Sequence, residues 1–113
     1  MSVVDDDGIR GLVMGDRELL VNLIDLFKNE TRPVLSEIAE AIESDDVGRT
    51  ERLVHRIHGE FRNFFAAEAV VVASSIEAEA RRGNLAVVRA RLPELEEKFD
   101  EVAKALDGLL ARF

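Results

Sequence analysis

Residues 54–66 read VHRIHGEFRNFFA, and the spacing within this stretch decides how the chain folds. Its apolar side chains recur at intervals of three, four and three, which places them on one buried face of a helix: Val54, Ile57, Phe61 and Phe64. At about 100° per residue, His55 points away from that face toward solvent. Gly59 shares the outward face, and His58 lies on its flank. A glycine inside a helix costs about 1 kcal/mol relative to alanine, so close approach of another molecule is the expected compensation.

Composition and charge exclude several classes of protein. The 113 residues are enough to bury a core, and the absence of cysteine excludes disulfides, thiolate metal sites and cysteine nucleophiles. The net charge of -8 argues against general binding to nucleic acid. The acidic N-terminus is unlike a signal peptide, and no apolar run approaches the roughly 18 residues of a membrane span. We therefore expect a cytoplasmic protein without membrane or nucleic-acid contacts.

The remaining pattern predicts an all-α fold, an antiparallel four-helix bundle with a short N-terminal helix or turn. Residues 1–7 are expected to be disordered, and residues 8–113 to form a single domain that begins with the short element. The first long helix should start at Asp16 and continue, kinked, across Pro33, because the apolar pattern stays in phase there. The other long helices are expected at residues 47–65, 68–82 and 85–109.

The two histidines, His55 and His58, allow three interpretations. Glu51 precedes His55 by one turn, so the three residues would form a connected strip. A metal site is disfavoured, because no second histidine-bearing helix and no HExxH pattern exist, and we predict no metal. The histidines are otherwise ordinary surface residues, or one of them is an exposed nucleophile that carries a phosphoryl group. The arginines of the same helix would attract a phosphoryl group and an acidic partner: Arg49, Arg52, Arg56 and Arg62.

The sequence VHRIHG at residues 54–59, followed by Phe65 and Ala66, resembles the phosphorylation motif of the histidine-containing phosphotransfer (HPt) domain family. The resemblance extends over about residues 16–110, including Pro33 in the first long helix and Gly83-Asn84 after the third. It implies a four-helix bundle in which His55 is the phosphoryl acceptor. Gly59 falls on the small residue beside which a receiver domain docks.

By this resemblance the chain is a histidine phosphotransfer protein of a two-component phosphorelay. His55 would accept a phosphoryl group from the aspartate of a response-regulator receiver domain and pass it on. A receiver domain or a hybrid sensor kinase would be the partner of a monomer, and the receiver would supply Mg²⁺, so that the chain needs no cofactor of its own. No ATP-binding motif is present, which indicates a phosphoryl carrier and not an autonomous kinase. Leu12, Val13 and Met14 are expected to extend the docking surface.

Two departures from the family pattern affect these expectations. His58 replaces the family's lysine, so its help in neutralising a phosphoryl group should be weaker and pH-dependent. Arg52, Arg56 and Arg62 are then expected to help stabilise the phosphoryl group or to contact the partner. Phe65 stands where the family usually has a glycine that closes the helix. The loss of the lysine leaves a non-catalytic module that docks a receiver or kinase as an alternative, and a self-assembling bundle as a more distant one.

Overall fold

The computed structural model describes residues 2–113, and the regular structure within this range is entirely helical. The six α-helices follow one another in chain order: α1 (Asp6–Val13), α2 (Arg17–Leu26), α3 (Arg32–Glu43), α4 (Val47–Asn63), α5 (Ala67–Arg81) and α6 (Leu85–Arg112). Short joints between the long helices produce antiparallel neighbours. The predicted all-α bundle is confirmed. None of the helices between residues 2 and 113 combines the length and the apolar character needed to cross a membrane.

The first long helix of the bundle is α2 and α3 joined by the π-helical turn Phe27–Thr31. Pro33 follows this turn and explains it. Proline has no backbone N–H, and its ring crowds the carbonyl four residues earlier. A π-helical turn takes up one extra residue and so accommodates this crowding without ending the helix. The helix therefore continues across Pro33, as the sequence predicted.

Phenylalanine rings from three helices pack together in the core and fix the position of α4. Phe27 stacks on Phe99 of α6 at 4.9 Å between ring centroids and meets Phe64 edge-on at 5.2 Å. Phe61 of α4 is fully buried beside them, 6.5 Å from Phe27. These separations are typical of favourable aromatic pairs. Because the inward face of α4 is held in this way, its opposite face has a fixed orientation toward solvent.

The first helix begins earlier than the sequence analysis placed it. Asp6 and Asp7 belong to α1, whereas residues 1–7 were expected to be disordered. Two features explain the difference: Val4 is buried against the core, and acidic side chains are favourable in the first turn of a helix. Met1 lies outside the described residues, so its expected disorder stays a prediction.

The α4 helix ends at Asn63, two residues before the end expected from the sequence. Phe65 follows with φ +54°, the left-handed conformation that favours glycine and that the family's glycine at this position would adopt readily. Its ring packs on α1, where a Cβ added to Gly8 would lie 3.0 Å from the ring. Phe65 therefore adopts a backbone conformation that is rare for phenylalanine, while its ring packs against α1.

Met14 also has a left-handed conformation, and we expect its replacement by glycine to stabilise the protein. Its φ is +54° and its side chain is 89% exposed, so the conformation brings strain with little packing in return. Met14→Gly should raise the free energy of unfolding by about 1 kcal/mol, measured by urea denaturation. Met14→Ala is the control, because alanine keeps the Cβ and its strain. A glycine variant no more stable than the alanine variant would contradict the expectation.

Candidate functional site

His55 lies on the outward face of α4, opposite the side chains that α4 buries in the core. Its side chain is 61% exposed, which agrees with the orientation that the spacing of the apolar residues predicted. His58, one turn further along the helix, is only 16% exposed. The two rings are 6.1 Å apart between centroids. An accessible imidazole therefore stands beside a sheltered one.

Glu77 of α5 joins the two histidines. Its Oε2 lies 2.9 Å from Nδ1 of His55, and its Oε1 lies 2.7 Å from Nδ1 of His58. The Glu77 side chain is only 7% exposed, so these hydrogen bonds are shielded from competing water. One carboxylate thus bridges both imidazoles and holds α4 and α5 together at the site.

This contact determines which nitrogen of His55 is free to react. An ionised carboxylate only accepts hydrogen bonds, so a neutral imidazole must donate Nδ1–H to Glu77. The ring lone pair is then on Nε2, the nitrogen that Glu77 does not engage. The arrangement fixes both the tautomer and the orientation of an exposed nucleophile.

The environment lowers the pKa of Glu77 from its ordinary value. Burial raises this pKa, because desolvation disfavours the charged carboxylate. Hydrogen bonds with His58 and His55, together with the positive charge that the two rings can carry, lower it by more in sum. Glu77 is therefore an ionised acceptor for both rings at neutral pH.

The lowered pKa predicts how Glu77 contributes to stability as pH changes. A carboxyl with a depressed folded-state pKa stabilises the protein above its unfolded-state pKa and loses that contribution as pH falls through the folded-state pKa. The ordinary value is 4.5. We expect the wild type to exceed Glu77→Gln in stability by a larger margin at about pH 5.5 than at about pH 3, as measured by urea denaturation. An equal margin at both pH values would contradict this.

Glu51 and His55 of the predicted strip line the same open pocket, but the side chain of Glu51 is bonded to α5. Oε1 of Glu51 accepts a hydrogen bond from Nε of Arg81 at 3.2 Å, and Nη2 of Arg81 donates to Oε2 of Glu77 at 3.0 Å. The guanidinium fork of an arginine reaches two carboxylates at once, which a neighbouring imidazole on the same helix cannot match. Glu51 is therefore linked to the histidines through α5.

The remaining residues singled out by sequence occupy two neighbouring places. Arg52 lines an open pocket of about 310 Å³ together with His55 and Glu77. A Cβ added to Gly59 would meet nothing within 4 Å, so the surface one turn from His55 is clear of the protein's own atoms. Arg56 and Arg62 do not line this pocket and border instead a second, larger concavity.

That second concavity, which we call the apolar groove, lies between α1, α2 and α4 and has a volume of about 670 Å³. Leu12, Leu26 and Phe65 line it and are 49%, 55% and 44% exposed, respectively. Leu12 was expected to extend a docking surface, and it borders this groove. Val13 was expected there too, but it is fully buried because it faces the core side of α1.

Glu77 and Arg81 are the site residues that sequence reasoning missed. Glu77 falls in register with Ala73 and Ala80 on the buried stripe of α5, where a charged residue is unusual. A buried carboxylate requires a partner, and the chain has only two histidines to offer besides its lysines and arginines. A charged residue within an apolar stripe was therefore the available signal.

The same three side chains have the composition of a metal site. The ligand atoms of His55, His58 and Glu77 lie within 4.8 Å of one another. They come from two helices, α4 and α5, so that the carboxylate of α5 supplies the ligand that the histidine-bearing helix lacks. The grouping therefore combines a candidate nucleophile with a potential set of ligands.

Known proteins that are similar to this chain are helical bundles of one family, in agreement with the fold described above. The family model described as "Hpt domain" matches residues 22–105, and no curated protein sequence matches significantly. The crystal structure of histidine-containing phosphotransfer protein B from Pseudomonas aeruginosa PAO1 is similar, with a TM-score of 0.86 over 98% of this chain and 96% of that chain. The sequence identity is 22%, so this likeness shows the fold alone. Because the family model covers most of the chain, including α4 and its two histidines, the chain belongs to the Hpt domain family.

Proposed function

We propose that this chain is the histidine phosphotransfer protein of a cytoplasmic two-component phosphorelay, and that His55 is its phosphoryl acceptor. The observation that carries the proposal is the hydrogen bond of 2.9 Å between Glu77 and Nδ1 of the exposed His55. It leaves a reactive lone pair on Nε2 of a ring whose orientation is fixed. Membership of the Hpt domain family supports the same assignment.

The proposed step transfers a phosphoryl group between an aspartate and His55. The Nε2 lone pair attacks the phosphorus of the aspartyl phosphate on a receiver domain, and the bond from phosphorus to the aspartate oxygen breaks. The aspartate leaves as a carboxylate, and the imidazole ring acquires a positive charge. Glu77, already bonded to Nδ1–H, stabilises that charge without reorganising. The reverse step passes the group to another receiver, which brings its own Mg²⁺.

His58 is proposed to act through Glu77 and not on the phosphoryl group directly. Its Nδ1 is bonded to Oε1 of Glu77, and its ring is mostly sheltered, unlike the family's lysine that it replaces. Holding one carboxylate oxygen leaves the other aimed at His55. Arg52 is proposed to attract the phosphoryl group instead, because it lines the same open pocket as His55.

The partner is proposed to be a receiver domain, alone or as part of a hybrid sensor kinase. Its apolar contacts would be made in the apolar groove, beside Arg56 and Arg62, and its acidic side chains would meet these arginines. The open surface at Gly59 would let the receiver's active site reach His55. We propose a monomer, because the apolar faces of the long helices are buried against one another within one chain.

Phosphoryl transfer from a panel of phosphorylated receiver domains tests the proposal. We expect acid-labile label, the mark of phosphohistidine, on the wild-type chain with at least one receiver. Measurable binding to a receiver with no label from any of them would overturn the carrier function and favour the docking-only module.

Replacing Glu77 by glutamine should slow phosphoryl transfer to His55 by about 100-fold, because the neutral amide can accept from one ring only and stabilises no positive charge. Transfer rates from one phosphorylated receiver, measured by rapid quenching, provide the test. Glu79→Gln is the matched control, since Glu79 lies on the same helix but bonds to Arg82 and Asn84. Equal rates for a folded Glu77→Gln variant and the control would show that Glu77 does not position His55.

A further inference from the structure

We propose that His55, His58 and Glu77 also bind a borderline divalent cation such as Zn²⁺, and that the bound cation switches off His55 as a phosphoryl acceptor. The binding part of this inference stands on the geometry of the three side chains. The switching part rests on the function proposed above. The two parts are tested by separate measurements.

The distances between the three side chains suit a small cation after minor movement. Zinc binds imidazole nitrogen and carboxylate oxygen at about 2.0–2.2 Å, so the ligand atoms of a tetrahedral site lie roughly 3.3 Å apart. Here Nδ1 of His55 lies 2.9 Å from one oxygen of Glu77 and Nδ1 of His58 lies 2.7 Å from the other, and one ligand atom from each residue can be chosen so that all three lie within 4.8 Å of one another. These values bracket the required spacing. Rotation of the exposed His55 side chain can close the difference.

The ligand types favour zinc over magnesium. Two imidazoles and one carboxylate are the protein ligands of a well-known class of open zinc site, in which water completes the coordination. The open pocket of about 310 Å³ beside His55 and Glu77 has room for that water. Magnesium prefers oxygen ligands and retains its own water, so it should not occupy a site with two imidazoles.

Arg81 opposes the cation and sets the affinity. Its guanidinium donates to Oε2 of Glu77 at 3.0 Å and places a positive charge beside the site. Arg81 also bonds to Glu51, so it can release Glu77 and keep an acidic partner. Removing the guanidinium should therefore tighten cation binding, whereas removing a ligand should weaken it.

Coordination and phosphoryl acceptance exclude each other through the tautomer of His55. A cation on Nδ1 requires the lone pair of that nitrogen, so the Nδ1 proton leaves to solvent and a proton binds Nε2. The number of protons on the neutral ring is unchanged, but Nε2 no longer has a lone pair to attack phosphorus. Conversely, a phosphoryl group on Nε2 makes the ring a cation, and the Nδ1 proton that Glu77 accepts must be lost before a metal ion can bind there. The shared residue thus makes the cation a competitor of the phosphoryl donor.

Calorimetric titration of the unphosphorylated chain with ZnCl₂ tests the site. We expect binding that His58→Gln weakens by more than about tenfold, since loss of a direct ligand should exceed the cost of losing an outer partner. Arg81→Met should bind more tightly, Glu79→Gln should match the wild type, and MgCl₂ should give no binding. Circular dichroism confirms that each variant is folded. No zinc binding by the wild type, or binding that a folded His58→Gln variant retains in full, would overturn the proposal.

Chemical labelling of His55 by phosphoramidate tests the switch without a receiver or Mg²⁺. Saturating Zn²⁺ should slow labelling of the wild type at least tenfold, and removal of the ion with a chelator should restore it. An unchanged rate of labelling with zinc bound would contradict the proposed switch, whereas the proposed zinc site would stand. A chain that binds zinc but accepts no phosphoryl group from phosphoramidate or any receiver would refute the proposed function, and the switch with it, independently of the calorimetry.

Discussion

Replacing His55 by glutamine is expected to abolish phosphoryl labelling by every receiver while leaving the fold intact. The side chain is 61% exposed and contributes nothing to the core, so the free energy of unfolding should change by less than about 0.5 kcal/mol. A glutamine amide can still donate a hydrogen bond to Glu77, which keeps the carboxylate partly satisfied. It has no lone pair that attacks phosphorus, so the loss of label should be complete. Labelling and urea denaturation of the same preparation provide the two measurements.

His58→Gln is the matched control, because it removes the other histidine of the same helix. Label should persist on this variant at a reduced rate, since the acceptor remains and only the support of Glu77 is weakened. Label on His55→Gln but not on His58→Gln would assign the acceptor to His58. Unfolding of His55→Gln would show that the exposed placement of this ring is wrong.

The helices and the outward orientation of His55 could be predicted from sequence because both follow from local periodicity. Side chains three and four apart share a helix face, so a run of apolar residues at that spacing identifies the buried side without knowledge of its partner. The same reasoning predicted that the first long helix continues across Pro33. It placed Phe61 and Phe64 on the buried side in the same way, and both are buried.

The partner of His55 could not be found by that reasoning, because it depends on the pairing of two helices. Glu77 lies 22 positions along the chain from His55, and helix periodicity carries no information about contacts at such separation. For the same reason, the hydrogen bond between Glu51 and Arg81 of α5, 30 positions along the chain, could not be predicted. The left-handed conformation of Phe65 was equally hidden, since a phenylalanine gives no local signal for it.

Phe61→Ala is expected to destabilise the protein by about 3–5 kcal/mol, because it removes a fully buried ring and leaves a cavity in a close-packed core. Phe61 is on the inward face of α4, where its ring approaches Phe27 at 6.5 Å. Its backbone carbonyl also accepts hydrogen bonds from the N–H groups of Phe64 and Ala66 at the end of the helix. Urea denaturation should show a lower midpoint with an unchanged dependence on urea concentration.

Phe65→Ala is the control for this prediction, since it removes the same kind of ring at a position that is 44% exposed. Phe65 lies four residues after Phe61 and two residues after the end of α4. Its cost should be about 1 kcal/mol or less, because much of the ring is already in contact with water. Equal losses for the two variants would mean that exposure at the end of α4 does not distinguish core from surface, which would also weaken the placement of His55. If Phe61→Ala is folded at low temperature, it should still accept phosphoryl label, because Glu77 holds His55 from α5.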